Sequence, residues 1–319
     1  MPQSTLDPEI ATFVETMARA WAAYPPFMTM PLEEARAVAE AVRAPWSAGG
    51  PTMAAVREHR APNATGGVRV RVYDPGVRSP APVLIYMHGG GFTLFSLDTH
   101  DRLMREYAAA GGFLVAGVDY ALSPEARYPR ALDQVVDVVD WLRGSGAAEV
   151  GADPARIAIG GDSAGAHLSM AAALRLRDGG SPGALQGLLL NYGAFGGPCS
   201  DASEAAFGGP EAVLNRTEVD YYLANYLGAA DAYPDDPYAR PCIADLAGLP
   251  PAFFVIPDRD VLAEQSRDMA ERLEKAGVEA EAREYAGATH SFLEAMSISS
   301  LARQAIADGA AWVKAQLTR

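Results

Sequence analysis

The sequence predicts an α/β fold: a mostly parallel central sheet of about eight strands, flanked by helices and covered by a helical lid. Three observations predict it. Short apolar runs of strand length recur along the chain. Helical segments separate most of them, which is the pattern of parallel strands joined by crossovers and buried on both faces. Residues 195–240 then break the alternation with a Gly-, Pro-, Asp- and Tyr-rich stretch, the mark of an insertion above the strand ends.

The elements follow in order. Asp7 can cap a first helix, Pro8 suits its first turn, and Ile10, Phe13, Val14, Met17 and Trp21 share one face. Pro25-Pro26 ends it. A second helix is expected from Pro31 to Val42, with Pro45 and Gly49-Gly50-Pro51 forming a break. Ala54–Arg60 and Val68–Tyr73 are short and alternating, as in an antiparallel hairpin at a sheet edge. Val83–Met87, Phe113–Val118, Arg156–Gly160, Leu185–Tyr192, Ala252–Ile256 and Glu279–Glu284 are the remaining strands. Helices are expected near 99–110, 130–143, 163–178, 262–276 and 301–317, with one more at Arg216–Leu227 inside the insertion. The chain thus divides into residues 1–52, an N-terminal helical part whose apolar stripe suits either packing against the main body or half of a lid; 53–194, the first part of the core; 195–240, the lid insertion; and 241–319, the rest of the core.

Composition narrows the function. Hydrophobic residues make up 49% of the 319, enough for a large core. The net charge of −14 and a pI near 4.8 argue against nucleic acid and anionic membrane surfaces, which call for basic patches. No apolar run reaches spanning length. The acidic start, with Asp7, Glu9 and Glu15, does not read as a signal peptide, so a cytoplasmic location is expected. Cys199 and Cys242 are the only cysteines. They make no framework and show no metal spacing, and neither a bridge, a metal nor a cofactor is expected.

Gly161-Asp162-Ser163-Ala164-Gly165 joins the apolar run at Ile157 to a helical pattern, and a serine so placed is a nucleophile elbow. The turn strains the serine, and glycine two residues either side avoids a collision. His88-Gly89-Gly90-Gly91-Phe92 follows the strand Val83–Met87. Glycines there leave main-chain N–H groups open to a developing oxyanion. Gly90, Gly91 and Ala164 are the expected donors, and His88 is read as a loop anchor. A serine nucleophile needs a base oriented by a carboxylate. Of the five histidines, His290 lies on a loop beyond the last strand, whereas His59, His100 and His167 fit local structural roles. The carboxylate belongs between Ser163 and His290, and Asp258 and Asp260 both qualify; either could instead cap the next helix.

These segments resemble the hormone-sensitive-lipase family of α/β-hydrolases, which is marked by His-Gly-Gly-Gly and Gly-Asp-Ser-Ala-Gly. Asp119-Tyr120-Ala121-Leu122-Ser123-Pro124-Glu125, Asp260-Val261-Leu262 and the Tyr285–Phe292 segment match further family motifs, over roughly residues 53–319. The departures are Ala166-His167, where many members have Gly-Asn, and Arg259-Asp260-Val261, where Asp-Pro is commoner. The resemblance implies an α/β-hydrolase fold, makes residues 1–52 the N-terminal helical part of the lid, selects Asp260 as the acid, and places His88, Gly89, Asp162 and Glu125 in support of the site. Tyr192–Gly196 and the tail resemble bacterial acetyl esterases, implying a serine carboxylesterase for short-chain acyl esters. The alternatives are a small-amide or lactone hydrolase with the same triad, or a small-molecule binding protein. A small ester is the expected partner, and a homodimer is left open. Trp21, Phe27, Phe195, Phe207, Tyr221, Tyr222 and Tyr226 are candidates for the wall of an acyl pocket.

Overall fold

The structure is a computed structural model that describes residues 5–64, 66–209, 212–228 and 235–319. Residues 210–211 and 229–234 of the expected lid insertion lie outside it, as do residues 1–4 at the start of the N-terminal lid part.

The strands are β1 (Ala55–Ala61), β2 (Val68–Asp74), β3 (Ala81–Met87), β4 (Leu114–Asp119), β5 (Ala152–Asp162), β6 (Leu188–Asn191), β7 (Ala252–Arg259) and β8 (Ala280–Thr289). The helices are α1 (Pro8–Trp21), α2 (Leu32–Ser47), α3 (Asp101–Gly111), α4 (Arg130–Arg143), α5 (Ser145–Val150), α6 (Ala164–Asp178), α7 (Asp201–Phe207), α8 (Arg216–Leu227), α9 (Ala263–Lys275) and α10 (Ser300–Leu317). One eight-stranded sheet forms in the order β1-β2-β4-β3-β5-β6-β7-β8. β1 and β2 make the expected antiparallel edge, and every pair from β4 to β8 is parallel.

The apolar runs are buried on both sides because alternate residues enter different cores. Val83, Ile85 and Met87 of β3 pack toward α4, α6 and α9, while Leu84 and Tyr86 pack toward α1, α3 and α10. α6 lies against the sheet, and all but its last turn is buried apart from Arg175, so small residues such as Ala171, Ala172 and Ala173 bring it close.

The expected break at Pro45 does not occur. α2 runs through it to Ser47, beyond the expected end at Val42. A proline there removes one bond near the helix terminus, and packing outweighs that loss: Trp46 meets Phe13 of α1 edge-on, with ring centroids 4.7 Å apart. α5 and α7 are short helices that the periodicity did not reveal. β5 starts earlier than expected, and β7 and β8 run further. β6 is cut back to four residues.

Parallel pairing aligns one end of the sheet. Met87 is level with Gly161, Asp162 with Asn191, and Arg259 with Thr289. Chain exits after β3, β5, β7 and β8 therefore meet at the carboxyl edge. Among the described residues no helix is long and apolar enough to cross a membrane.

Candidate active site

Ser163 sits between β5 and α6 at φ +53°, a strained value for a residue with a side chain. The glycines around it answer to close neighbours as well as to the turn. A Cβ on Gly161 would run into the Met87 carbonyl and the Gly165 backbone, and one on Gly165 into the Met87 and His88 carbonyls. The end of β3 thus presses on both sides of the elbow.

His290 arrives by an irregularity in the last strand pair. β8 spends four residues from Tyr285 to Thr289 where β7 spends two from Pro257 to Arg259. Gly287, at φ +79°, turns inside this bulge, and its N–H donates to Asp258 Oδ1 at 2.8 Å. The bulge re-aims the chain so that His290 faces the elbow. Ser163 Oγ lies 3.0 Å from His290 Nε2, and His290 Nδ1–H donates to Asp260 Oδ2 at 2.7 Å. All three residues are buried, at 9%, 6% and 2% exposure.

Of the two aspartates, the geometry sets Asp260 and not Asp258 on the imidazole. Asp260 uses one oxygen on the imidazole and the other, Oδ1, to accept the Leu262 N–H at 3.0 Å. Asp258 supports the bulge instead. The helix-cap reading of Asp260 does not hold: the N-cap of α9 is Leu262, without a side-chain cap, and Asp260 Oδ1 closes a turn just ahead of the helix.

The glycine loop follows β3 as expected. Gly90 and Gly91 have positive φ, and the Gly90 carbonyl accepts the N–H groups of Thr93 and Leu94. A Cβ on Gly91 would enter the Tyr222 ring, and one on Gly89 would strike the Asp162 carboxylate. His88 anchors the loop: its Nδ1–H donates to the Gly89 carbonyl at 2.7 Å and its ring stacks on Tyr120 with centroids 4.4 Å apart. Burial, helped by the nearby His100 ring, lowers His88 to about 3, so it is neutral. Glu125 is exposed and reaches the loop through Arg36, which grips it with both Nη groups and donates Nε to the Thr93 carbonyl at 2.8 Å.

Beneath the elbow lies a polar cluster that the sequence did not announce. Asp162 accepts from Tyr86 Oη at 3.0 Å and faces His100 Nε2 at 3.3 Å. Burial by itself would raise the Asp162 carboxyl and lower the His100 ring. Their mutual attraction outweighs it, holding Asp162 below and His100 above its ordinary value. Each sits in a dry place and favours the charged form of the other. By sequence His100 is a plain helix-start residue; the signal for its role is only its spacing from the glycine loop.

A cavity of about 440 Å³ opens over these groups and is bordered by Gly90, Gly91, Ser163, Ala164 and His290. Both expected lid pieces contribute walls, Met17, Trp21 and Phe27 from one and Leu214, Val219 and Tyr222 from the other. They meet where Phe27 and Tyr222 stack at 5.8 Å. Of the seven expected wall aromatics, Trp21, Phe27 and Tyr222 border the cavity. The other four do not. Tyr226 is drawn under Phe92, with ring centroids 3.8 Å apart, Phe195 is buried beside Phe254, Phe207 packs under Arg259, and Tyr221 sits against the outer sides of Phe27 and Tyr222.

Residues missed by the sequence reading also stand here: Arg43, Glu218 and Glu294 border the cavity, and Tyr192, at φ +40°, packs edge-on against the His290 ring at 5.0 Å. Glu218 closes a capping box on α8 with Asn215, and burial raises its carboxyl. Cys199 and Cys242 are both free thiols. Burial pushes Cys199 up to about 12, which leaves it protonated.

A family model described as the alpha/beta hydrolase fold matches residues 84–294. Solved structures are similar over nearly the whole chain. A hyperthermophilic esterase from the archaeon Pyrobaculum calidifontis is 30% identical, with 98% of each chain covered and a TM-score of 0.90. A thermostable carboxylesterase cloned from a metagenomic library is also 30% identical, covering 90% of this chain and 98% of that one, with a TM-score of 0.85. A thermostable esterase from Pseudomonas putida is 27% identical over 99% and 98%, with a TM-score of 0.89.

Proposed function

This chain belongs to the α/β-hydrolase family, in its hormone-sensitive-lipase group, and from that premise we propose that it cleaves short-chain acyl esters through an acyl-enzyme intermediate. It is a serine ester hydrolase. The observation that carries the reading is the unbroken line from Ser163 Oγ through His290 to Asp260, with contacts of 3.0 and 2.7 Å.

Ser163 Oγ attacks the ester carbonyl while His290 Nε2 takes its proton. Asp260 fixes the proton on Nδ1, which leaves Nε2 free to accept, and stabilises the imidazolium that forms. Negative charge on the former carbonyl oxygen falls on the N–H groups of Gly90, Gly91 and Ala164. Ala164 adds the positive end of the 15-residue helix α6. The tetrahedral adduct collapses as His290 returns the proton to the departing alkoxide, and an alcohol leaves. Water, deprotonated by the same nitrogen, then attacks the acyl-serine, and the acid is released with Ser163 restored.

The short-acyl preference rests on the resemblance of Tyr192–Gly196 and of residues 290–293 to acetyl esterases. A cavity of about 440 Å³ is far larger than an acetyl group needs, so a bulky alcohol is its expected occupant. p-Nitrophenyl esters test both points. Activity on the acetate should disappear in Ser163→Ala, with kcat down by about 10⁶-fold as when other serine nucleophiles are removed. Undiminished hydrolysis by that variant would remove the nucleophile from the scheme, and a maximum at long acyl chains would remove the short-acyl reading.

A further inference from the structure

We infer that Arg43 of α2 is a positioning residue that locks the histidine loop and the glycine loop to each other, an inference that rests on the catalytic reading above. Arg43 and Glu294 form an ion pair through Nη1 and Oε2, and both are buried, at 5% and 4% exposure. Glu294 lies in the 3-10 turn Phe292–Ser297, directly behind His290, and its N–H donates to the Ser291 carbonyl at 3.0 Å. The Arg43 guanidinium also lies over the Phe95 ring, 4.8 Å from its centroid. Phe95 in turn packs so closely on the glycine loop that a Cβ on Gly90 would meet its ring. One side chain therefore touches both halves of the machinery, the half that carries the base and the half that carries the oxyanion donors.

The backbone shows why a lock is needed. Among the described residues only Phe92, Phe95, Ser163, Tyr192 and Ser291 combine a side chain with positive φ, and all stand around the site. Such conformations persist only when their surroundings hold them. Ser291 and Phe95 are two of them, and Arg43 reaches the first through Glu294 and the second directly. Stability is a poor reason for this arrangement. Two charges are removed from water, and Arg43 Nε has no hydrogen-bond partner among the described residues. An apolar pair of similar size would hold α2 in place as well. It would not fix direction and distance between two loops as a planar cation does, bonded at one edge and stacked on its face.

The test separates holding the fold from holding the geometry. Arg43→Met/Glu294→Met removes both charges and keeps side-chain volume. It is expected to melt at or above the wild-type temperature, with kcat on p-nitrophenyl acetate lower by on the order of 10- to 100-fold and KM changed less than about twofold. Glu294→Gln keeps an acceptor for Arg43 and is expected to retain most of kcat. A folded double variant with wild-type kcat would overturn the inference. So would a Glu294→Gln that loses as much kcat as the double variant, because charge and not placement would then be at work. If the double variant does not fold, Arg43→Lys replaces it: a lower kcat at unchanged KM supports the lock, and wild-type kcat overturns it. Loss of the catalytic reading would appear separately, as a wild type that is inactive or a Ser163→Ala that is not.

Discussion

Two aspartates separated by one arginine divide the support of His290. Asp260 holds the ring by Nδ1, and Asp258 holds the bulge that delivers the ring by bonding Gly287 N–H. Their losses should differ in kind. Asp260→Asn presents the imidazole with a donor or a weaker acceptor and misplaces its proton, so kcat on p-nitrophenyl acetate should fall by about 10⁴-fold. Asp258→Asn keeps an acceptor for Gly287 and should cost less than about tenfold. Equal losses would mean that ring orientation, and not the carboxylate on Nδ1, limits the rate. Sequence alone leaves the two aspartates tied, because Asp258 and Asp260 both follow a strand and both precede a helix. The resemblance broke the tie, and the 2.7 Å contact supplied the reason. Ser163, the three loop glycines and His290 were readable because each demands a rare local pattern. Arg43 and Glu294 were not: an arginine on an amphipathic helix and a glutamate after a loop look ordinary until the fold brings them together across 251 residues.

Elements show the same division. The parallel sheet was legible because an apolar run of strand length bounded by helices fits few other architectures. The end of α2 was not, since Pro45 is a stop signal that packing of Trp46 on Phe13 overrides. The extra length of β8 was hidden too, because Gly287 reads as a strand terminator when it is a bulge inside the strand. α8 is the element of the expected lid insertion whose limits the sequence placed correctly, at Arg216–Leu227, and its start shows why. Asn215 accepts the Glu218 N–H at 3.0 Å and Glu218 returns the bond to Asn215 N–H at 3.0 Å, a reciprocal cap on a helix whose amphipathicity is weak. With only Val219, Leu223 and Tyr226 buried, far fewer than in α4 or α6, α8 should depend on that cap more than the core helices depend on theirs. Asn215→Ala is expected to cost about 1 kcal/mol locally. Hydrogen exchange should speed up by roughly five- to tenfold for amides 219–223 while those of β3 and β5 stay slow. Uniform acceleration through the sheet would show instead that α8 and the core open as one unit.

At the scale of the whole molecule, charge burial sets how the fold responds to acid. His88 and His167 are both fully buried, hydrogen-bonded as donors to the Gly89 and Ala194 carbonyls, and lowered by burial to about 3 and about 4. The unfolded chain titrates its histidines near 6.5. Between that value and the folded ones the unfolded state holds more protons, so acid favours unfolding, and stability falls as pH drops below about 6.5. The Asp162 carboxyl, held low, adds a loss further down, as pH falls through the ordinary carboxylate range. His100 acts in the opposite sense: its raised value means that its contribution is full in acid and is lost as pH rises through the folded-state value. The two lowered rings outnumber the one raised ring, and the balance predicts a fold that weakens by roughly 1 kcal/mol per pH unit for each buried neutral histidine below pH 6. Urea unfolding at pH 7.5, 6, 5 and 4.5 reads this slope. His167→Asn keeps a donor for the Ala194 carbonyl and removes one titrating ring, so its slope should be shallower by one histidine's share, with little change at pH 7.5. An unaltered slope in that variant would place the acid sensitivity elsewhere, with the Asp162–His100 pair under the nucleophile as the next group to neutralise.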